Sequence, residues 1–556
     1  MNEEIEKKPR KEVSGFPMVL GFLGVFLILV GFLTASPLIL LAFYPSEQAA
    51  ILPFASTAGA DIGLGLLLFF LFLFKRKPSK FRRHEESQLL TLIWVLAILS
   101  GAMPFFISGQ QLEMNFTKAI FESASSYTGT GLTGFLDYID VPGAFAPHVF
   151  CYHRSQMQFI GGVGLVLLVA SILGANAGVK LYVSEGHSDK LLPNIAKSAK
   201  LIFGIYTAYS LVGAIALYFA GLPWFEAVCT SMCALSGGGM SCRSMNIGSY
   251  RALDQIQGCI FPVNSIAIEI IVMFLVILGM ISFVLHTFIL RGKFKTFLRD
   301  AETKFIMIVG TAAILISYFG ALLSSSTLRG GDLFQDGGLI FRNVIFYCVG
   351  SFTTSGFAVT APGSPYHLVA GGGSMSLGKP LIFICTLLMI VGADSGSTGG
   401  GIKQFRIAIA CKELAYSLRY KFAPSHQINP RTIYRYGEVK ELDSETAKES
   451  YNYILLYMGV FIISVILLCF NSKFDAESAA FDVASAMGNV GLGLIDYTPI
   501  PTKFIDFLPF WVLAIDMLLG RLEIMPIAYA MSNVREETAY YLKKRRKAKM
   551  ATDSLE

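Results

Sequence analysis

"FTKAIFESASSYTGTGLT" (residues 116–133) begins as an amphipathic helix and dissolves into small, hydroxyl-bearing and glycine residues. The same form returns in "WFEAVCTSMCALSGGGMS" (224–241), "FRNVIFYCVGSFTTSGFA" (341–358) and "AESAAFDVASAMGNVGLG" (476–493). Written one above another without gaps, the four superpose Gly131, Gly239, Gly356 and Gly491, with Phe121, Cys229, Phe346 and Phe481 in a shared earlier column. Each is preceded and followed by an apolar stretch. The unit is therefore helix, short re-entrant helix, turn, helix, repeated four times. Taken singly, such a segment is equally well a helix-packing surface of the small-xxx-small kind. Four in matching context favour turns that converge on one axis.

The surroundings of these turns are a membrane. The chain of 556 residues is 54% hydrophobic and 15% charged, with a mean hydropathy of +0.58. Soluble domains carry about 25% charged residues. Runs beginning at Met18, Leu89 and Ile266 are long enough to cross a hydrocarbon core that needs about 20 helical residues. The first is too long for a cleaved signal peptide and is followed by a second span, so it is expected to remain as a helix. "KRKPSKFRR" (75–83), "RGKFKTFLR" (291–299), the segment after Lys403 and "KKRRKAK" (543–549) are basic, whereas residues 109–115 and 361–378 carry almost no positive charge. These clusters share the cytoplasmic side if the N-terminus is cytoplasmic and the short segments dip in and return. The net charge of +6 then reflects topology; no nucleic-acid surface is expected.

Backbone outside helices survives at membrane depth only where protein buries it or where it lines a wet cavity. Glycine lets successive carbonyls turn toward one line, and rings of carbonyls can replace the water around a dehydrated cation. The C-terminal dipole ends of the short helices favour a cation as well. A further oddity is "GADSGSTGGGIK" (392–403), directly after "PLIFICTLLMIV" (380–391). At 1.5 Å per residue that apolar run covers only about 18 Å, too little to cross. Its continuation, "IKQFRIAIACKELAYSLRY", is helical in pattern and ends basic. The glycine loop thus interrupts a spanning helix partway.

Other chemistries find little footing. The loop lacks the glycine–lysine–Ser/Thr order of a phosphate loop, because Ile402 precedes Lys403 and Gln404 follows it. Glu122, Glu226 and Asp482 form no obvious acid–base pair. They are read as electrostatic groups at the outer mouth, or as caps and partners of lysines such as Lys118. The seven histidines are dispersed without metal-ligand spacing, so no metal centre, cofactor or enzymatic activity is expected. Nine cysteines show no paired spacing and read as buried small hydrophobes; Cys242 and Cys259 fall in an outer loop and are a candidate bridge. An alternating-access carrier also uses broken helices, but usually two of them rather than four.

On "FESASSYTGTGLT", "RSQMQFIGGVGLVLL" from Arg154, "TTSGF" from Thr353, "GSTGGGIK" from Gly396, "GNVGLG" from Gly488 and "MLLGRLEI" from Met517, the chain resembles the Trk/Ktr/HKT superfamily of potassium transporters. The TrkH-type membrane subunit is the nearest type, and the likeness runs from Leu89 to about Val534. It implies an all-α integral membrane fold: four helix–pore helix–filter–helix repeats around a pseudo-fourfold pore, plus an N-terminal two-helix hairpin. The expected parts are a tail and hairpin (1–84), pore-loop units at 85–195, 196–300, 301–422 and 451–534, a linker (423–450) and a basic tail (535–556).

The resemblance implies a K⁺ filter at Thr128, Gly129, Thr130 and Gly131; Ser236, Gly237, Gly238 and Gly239; Thr353, Thr354, Ser355 and Gly356; and Gly488, Asn489, Val490 and Gly491. Glycine at all four aligned positions leans toward K⁺, since plant relatives with serine at the first prefer Na⁺; Met240 departs from the usual phenylalanine. Na⁺ permeation or co-transport stays open. The loop of Gly396, Ser397, Thr398, Gly399, Gly400, Gly401 and Lys403 is implied to be an intramembrane gate, reached by Arg521. The alternative for Arg521 is a snorkelling anchor. The likeness also implies a multi-pass protein of a bacterial-type plasma membrane, a homodimer, and a cytoplasmic nucleotide-binding regulatory subunit of the TrkA type. The charged stretch from Gly437 and both tails are candidate docking surfaces or solvated linkers.

Overall fold

The structure, a computed structural model, describes residues 12–79, 81, 83–164, 195–256, 259–324, 333–359, 379–422 and 431–528. The tails, residues 361–378 and the first part of the 423–450 linker lie outside the described residues.

Helices dominate. An antiparallel pair, α1 (Phe16–Ala35) and α2 (Ile51–Phe72), leads the chain. Its two members come close because Gly24 and Gly65 face one another; a Cβ on either would press on the other's carbonyl. Three-helix groups follow: α3 (Arg83–Ile107), α4 (Phe116–Thr128) and α5 (Pro147–Val163); then α6 (Ile195–Phe219), α7 (Trp224–Ser236) and α8 (Ser265–Met280) with its continuation α9 (Phe283–Leu290). Next come α10 (Ala301–Ser324), α11 (Leu333–Phe352) and α12 (Lys379–Val391) with its continuation α13 (Gln404–Phe422). The last group is α14 (Ser444–Leu468), α15 (Ala476–Gly488) and α16 (Phe504–Leu522). A hairpin of Thr432–Arg435 against Glu438–Glu441 sits between α13 and α14.

The first helices of the second, third and fourth groups are apolar and face outward, while α3 of the first group is covered in part by α1. Leu211, Val212 and Ile215 of α6, Met307 and Ile308 of α10 and Leu455 and Ile462 of α14 are exposed. Such surface suits a lipid environment. Among the described residues, six helices are long and apolar enough to cross a membrane, or seven if the bent pair α8–α9 is one span.

The second helix of each group is short or deeply enclosed. Thirteen residues in each of α4, α7 and α15 reach only about 20 Å. Side-chain caps fix the starts of α4 and α15: Asn115 accepts the Lys118 amide at 2.9 Å and Asp475 accepts the Ser478 amide at 2.9 Å. The groups close on one another in order. Helix α7 packs on α5, α8 on α11, α12 on α15, and α16 on α4, so the fourth group returns to the first.

The run from Ile266 does not continue straight. It breaks at Ile281–Ser282 and α9 leaves at 112° to α8. The reason is tertiary: the freed Ser282 and Phe283 amides are taken by Asp394 Oδ2 at 3.3 Å and Gly396 O at 3.2 Å, both in the glycine loop. The proposed Cys242–Cys259 bridge is absent: both are buried free thiols. Cys259 Sγ instead approaches Leu222 O at 3.5 Å.

Candidate functional site: a ring of four turns and the loop beneath it

Each short helix ends the same way. At the aligned position just past each helix, Gly129, Gly237, Thr354 or Asn489 has a left-handed backbone, with φ of +74°, +72°, +56° and +53°. Two residues on, Gly131, Gly239, Gly356 and Gly491 are left-handed again, at +100°, +69°, +60° and +103°. Left-handed residues at alternate positions let successive carbonyls turn to one side. Threonine is a poor choice for such angles and asparagine a tolerable one. Asn489 is held there by its own side chain, which donates to Met517 O at 2.8 Å and to Thr130 Oγ1 at 3.1 Å.

The second set of glycines interlocks cyclically. A Cβ on Gly131 would overlap Gly238 O, one on Gly239 would overlap Ser355 O, one on Gly356 Val490 O, and one on Gly491 Thr130 O. Each turn therefore rests its glycine against the carbonyl of the next, and the fourth rests against the first. Directly outside the ring is a cavity of about 160 Å³ lined by all four glycines.

The ring is braced from behind. Ser125 Oγ accepts the Gly131 amide and Ser485 Oγ the Gly491 amide, both at 2.9 Å. Glu122 accepts the Gly134 amide at 3.0 Å and pairs with Arg154 at 2.8 Å, both side chains being buried. Asp482, at the matching place in the fourth turn, takes the Leu494 amide at 2.8 Å and the Tyr497 hydroxyl. Glu226 is bound by Arg243 and by Tyr250 at 2.7 Å each. These acids are therefore structural partners rather than open charges at the mouth. Lys118 contacts none of them by hydrogen bond; it donates to Glu113 O and Thr498 O at 3.0 and 2.6 Å.

Between α12 and α13 the glycine loop lies against the inner ends of the turns. Gly399 abuts Thr354, Gly400 abuts Gly488 O and Asn489 Oδ1, and Thr398 Oγ1 lies beside Gly237. Thr398 is tied to the end of α8, its amide and hydroxyl donating to Gly279 O at 3.3 and 2.9 Å. Gly396 and Gly401 are left-handed, as is Lys403, whose buried ammonium turns back onto Gly399 O. Ser397 Oγ donates to Asp394 O at 2.7 Å. Arg521, in the last turn of α16, donates to Thr398 O and to Gly161 O, and to Gly162 O at 2.9 Å. The guanidinium thus bridges the loop, α5 and α16 instead of snorkelling outward.

The family model TrkH, described as cation transport protein, matches residues 67–541. The chain belongs to the TrkH family. It is 26% identical to an uncharacterized cation transporter of Methanocaldococcus jannaschii over 96% of this chain and 98% of that one. It is 28% identical to the Trk system potassium uptake protein TrkH of Halomonas elongata, over 92% and 97%. The crystal structure of the potassium transporter TrkH from Vibrio parahaemolyticus has the same fold, with a TM-score of 0.73 at 22% identity, over 93% of this chain and 98% of that one.

In this TrkH-family chain the residues singled out from sequence are brought into two adjoining places, the ring and the loop. Two further contributors were not anticipated. Gln158 of α5 donates to Gly238 O at 2.7 Å and accepts the Met240 amide at 3.4 Å, bracing the one turn that ends in methionine. Its signal was its polarity: Arg154, Gln156 and Gln158 share a helix that ought to be apolar. Asp394, at the loop's entrance, gave no signal beyond being a charge in a membrane span.

Proposed function

We propose that this chain is the ion-translocating subunit of a Trk-type potassium uptake system. K⁺ crosses through the ring of four turns, and the loop of residues 396–403 is its gate. The observation that carries this reading is the cyclic contact of Gly131, Gly239, Gly356 and Gly491 with the carbonyl of the neighbouring turn. Oxygen atoms gathered so closely, with backbone already fixed, can stand in for the water a potassium ion sheds. With Glu122 and Glu226 paired to arginines and Asp482 held by an amide and a tyrosine hydroxyl, the carbonyls are left as the principal ion ligands. A potential of 100 mV supplies about 2.3 kcal/mol per charge, enough to drive uptake without a chemical step.

The relatives named as Trk potassium uptake proteins support K⁺ as the cargo. The word system in those names accords with a partner, which we take to be a cytoplasmic nucleotide-binding subunit of the TrkA type acting on a homodimer. The basic clusters in the sequence favour cytoplasmic termini in a bacterial-type plasma membrane. Rubidium uptake into proteoliposomes holding an inside-negative potential tests the reading. Uptake that K⁺ suppresses at concentrations where Na⁺ does not is the expected result. Equal suppression by Na⁺ overturns K⁺ selectivity, and no potential-driven uptake overturns conduction.

A further inference from the structure

At the loop's entrance, where Asp394 stands, lies a group of buried charges that extends beyond the ring and its gate. Asp300, Glu302 and Asp394 are each fully buried. Glu302 Oε1 accepts the amide of Ser395, in the loop, at 2.9 Å. Asp394 Oδ2 accepts the Ser282 amide at the break between α8 and α9. Asp300 takes the Glu302 amide at 3.0 Å on one oxygen and the Tyr436 amide at 2.9 Å on the other. Three buried carboxyls in low dielectric are stabilised by a nearby cation or by taking up a proton. Among the described residues no group of three His, Cys, Asp or Glu is arranged to hold a metal ion. Among the described residues, Arg435 is a cation whose field acts on both Glu302 and Asp394, and Lys403 also acts on Glu302.

Arg435 does not belong to the membrane helices. It closes the first strand of the hairpin between α13 and α14, is itself buried, and lies 3.6 Å from the centre of the Phe405 ring. Next to it Tyr436 is left-handed, at φ +52°, and its hydroxyl pairs with Ser282 Oγ at 3.1 Å. The hairpin is firmly seated: Ile433 and Leu442 pack with Ile409 of α13 and Ala447 of α14. Charge and hydrogen bonds thus run from the hairpin to the start of α10, to the α8–α9 break and to the entrance of the glycine loop.

We propose that this hairpin is a latch on the loop. Arg435 and Tyr436 hold Asp300, Glu302 and Ser282, and these hold Ser395 and Asp394, so the loop stays against the turns while the hairpin is seated. The latch rests on the reading of residues 396–403 as the gate. It also identifies where a partner on the inner face would act: displacing the hairpin removes the charge that balances the loop's anchors.

The test uses the full chain in proteoliposomes, reading basal rubidium flux and the K⁺ to Na⁺ ratio. Arg435→Gln and Glu302→Gln are each expected to raise basal flux about three-fold or more, with the ion ratio unchanged. Arg435→Lys returns flux most of the way to wild type. The double variant Arg435→Gln/Glu302→Gln exceeds neither single by more than its error, because both act through one link. Wild-type flux in Arg435→Gln, a multiplicative double variant, or an altered ion ratio overturns the latch. Should Arg435→Gln fail to fold, Tyr436→Phe replaces it with an expected rise of about two-fold, and no rise overturns the proposal. Deleting residues 399–401 in parallel separates the two ideas. If the deletion raises flux and the hairpin variants do not, the latch falls alone; if the deletion changes nothing, the gate reading falls and takes the latch with it.

Discussion

At Gly131 two constraints coincide: φ is +100°, and the space for a side chain is filled by Gly238 O. A serine there strains the backbone and pushes one carbonyl out of the ring. Gly131→Ser is therefore expected to lower K⁺ over Na⁺ discrimination about ten-fold, equivalent to ~1.4 kcal/mol. Competitive rubidium uptake measures it, and an unchanged ratio removes Gly131 from the filter. The aligned glycines were legible because only glycine takes such angles while leaving room for a neighbour's carbonyl. Thr354 and Asn489 were not legible as left-handed residues, since neither type announces that conformation; for Asn489 a bond to Met517 O, on a helix 28 residues away, helps hold it. The roles of Glu122 and Asp482 were missed for the same reason. Their partners arrive from beyond the turn and, for Glu122, also from α5, and no local pattern encodes that meeting.

Among the elements, the interrupted helix α12–loop–α13 is the one whose interruption the sequence announced. Thirteen residues of α12 are too few to cross, and a run of glycine, serine and threonine follows. The α8–α9 bend was the opposite case. Its residues are apolar on either side of a single Ser282, and the bend exists because loop groups capture the Ser282 and Phe283 amides. Periodicity reports a helix's own preference and is silent about competition for its amides. The loop's position depends on Arg521, whose hydrogen bonds to three carbonyls join it to α5. Arg521→Ala is expected to raise basal K⁺ flux about ten-fold, since charged hydrogen bonds are worth ~1.5–3 kcal/mol each and only part of that holds the loop. Deletion of residues 399–401 is expected to raise it further. Flux assays on vesicles matched for protein content decide both, and wild-type flux in both variants removes the gate.

Across the whole molecule, the N-terminal hairpin is tied to the first group by a cap supplied from afar. Helix α5 begins without a side-chain cap of its own, and buried Glu47 fills that place. It accepts the His148 and Val149 amides at 3.2 and 3.0 Å, and meets His148 Nδ1 at 2.6 Å. A carboxylate at a helix N-terminus also meets the positive end of the dipole. Glu47→Ala is expected to destabilise the protein by ~1–2 kcal/mol. A lower unfolding midpoint in detergent, partly restored in Glu47→Gln, is the measurement; an unchanged midpoint shows the hairpin to be docked by its apolar faces alone. The closed ring of four dissimilar turns has an evolutionary consequence. In a pore assembled from four copies of one chain, a single codon change strikes every corner at once. Here each corner has its own codons, so mutation can reshape the opening a quarter at a time, and the methionine, threonine and asparagine standing at separate corners record that freedom.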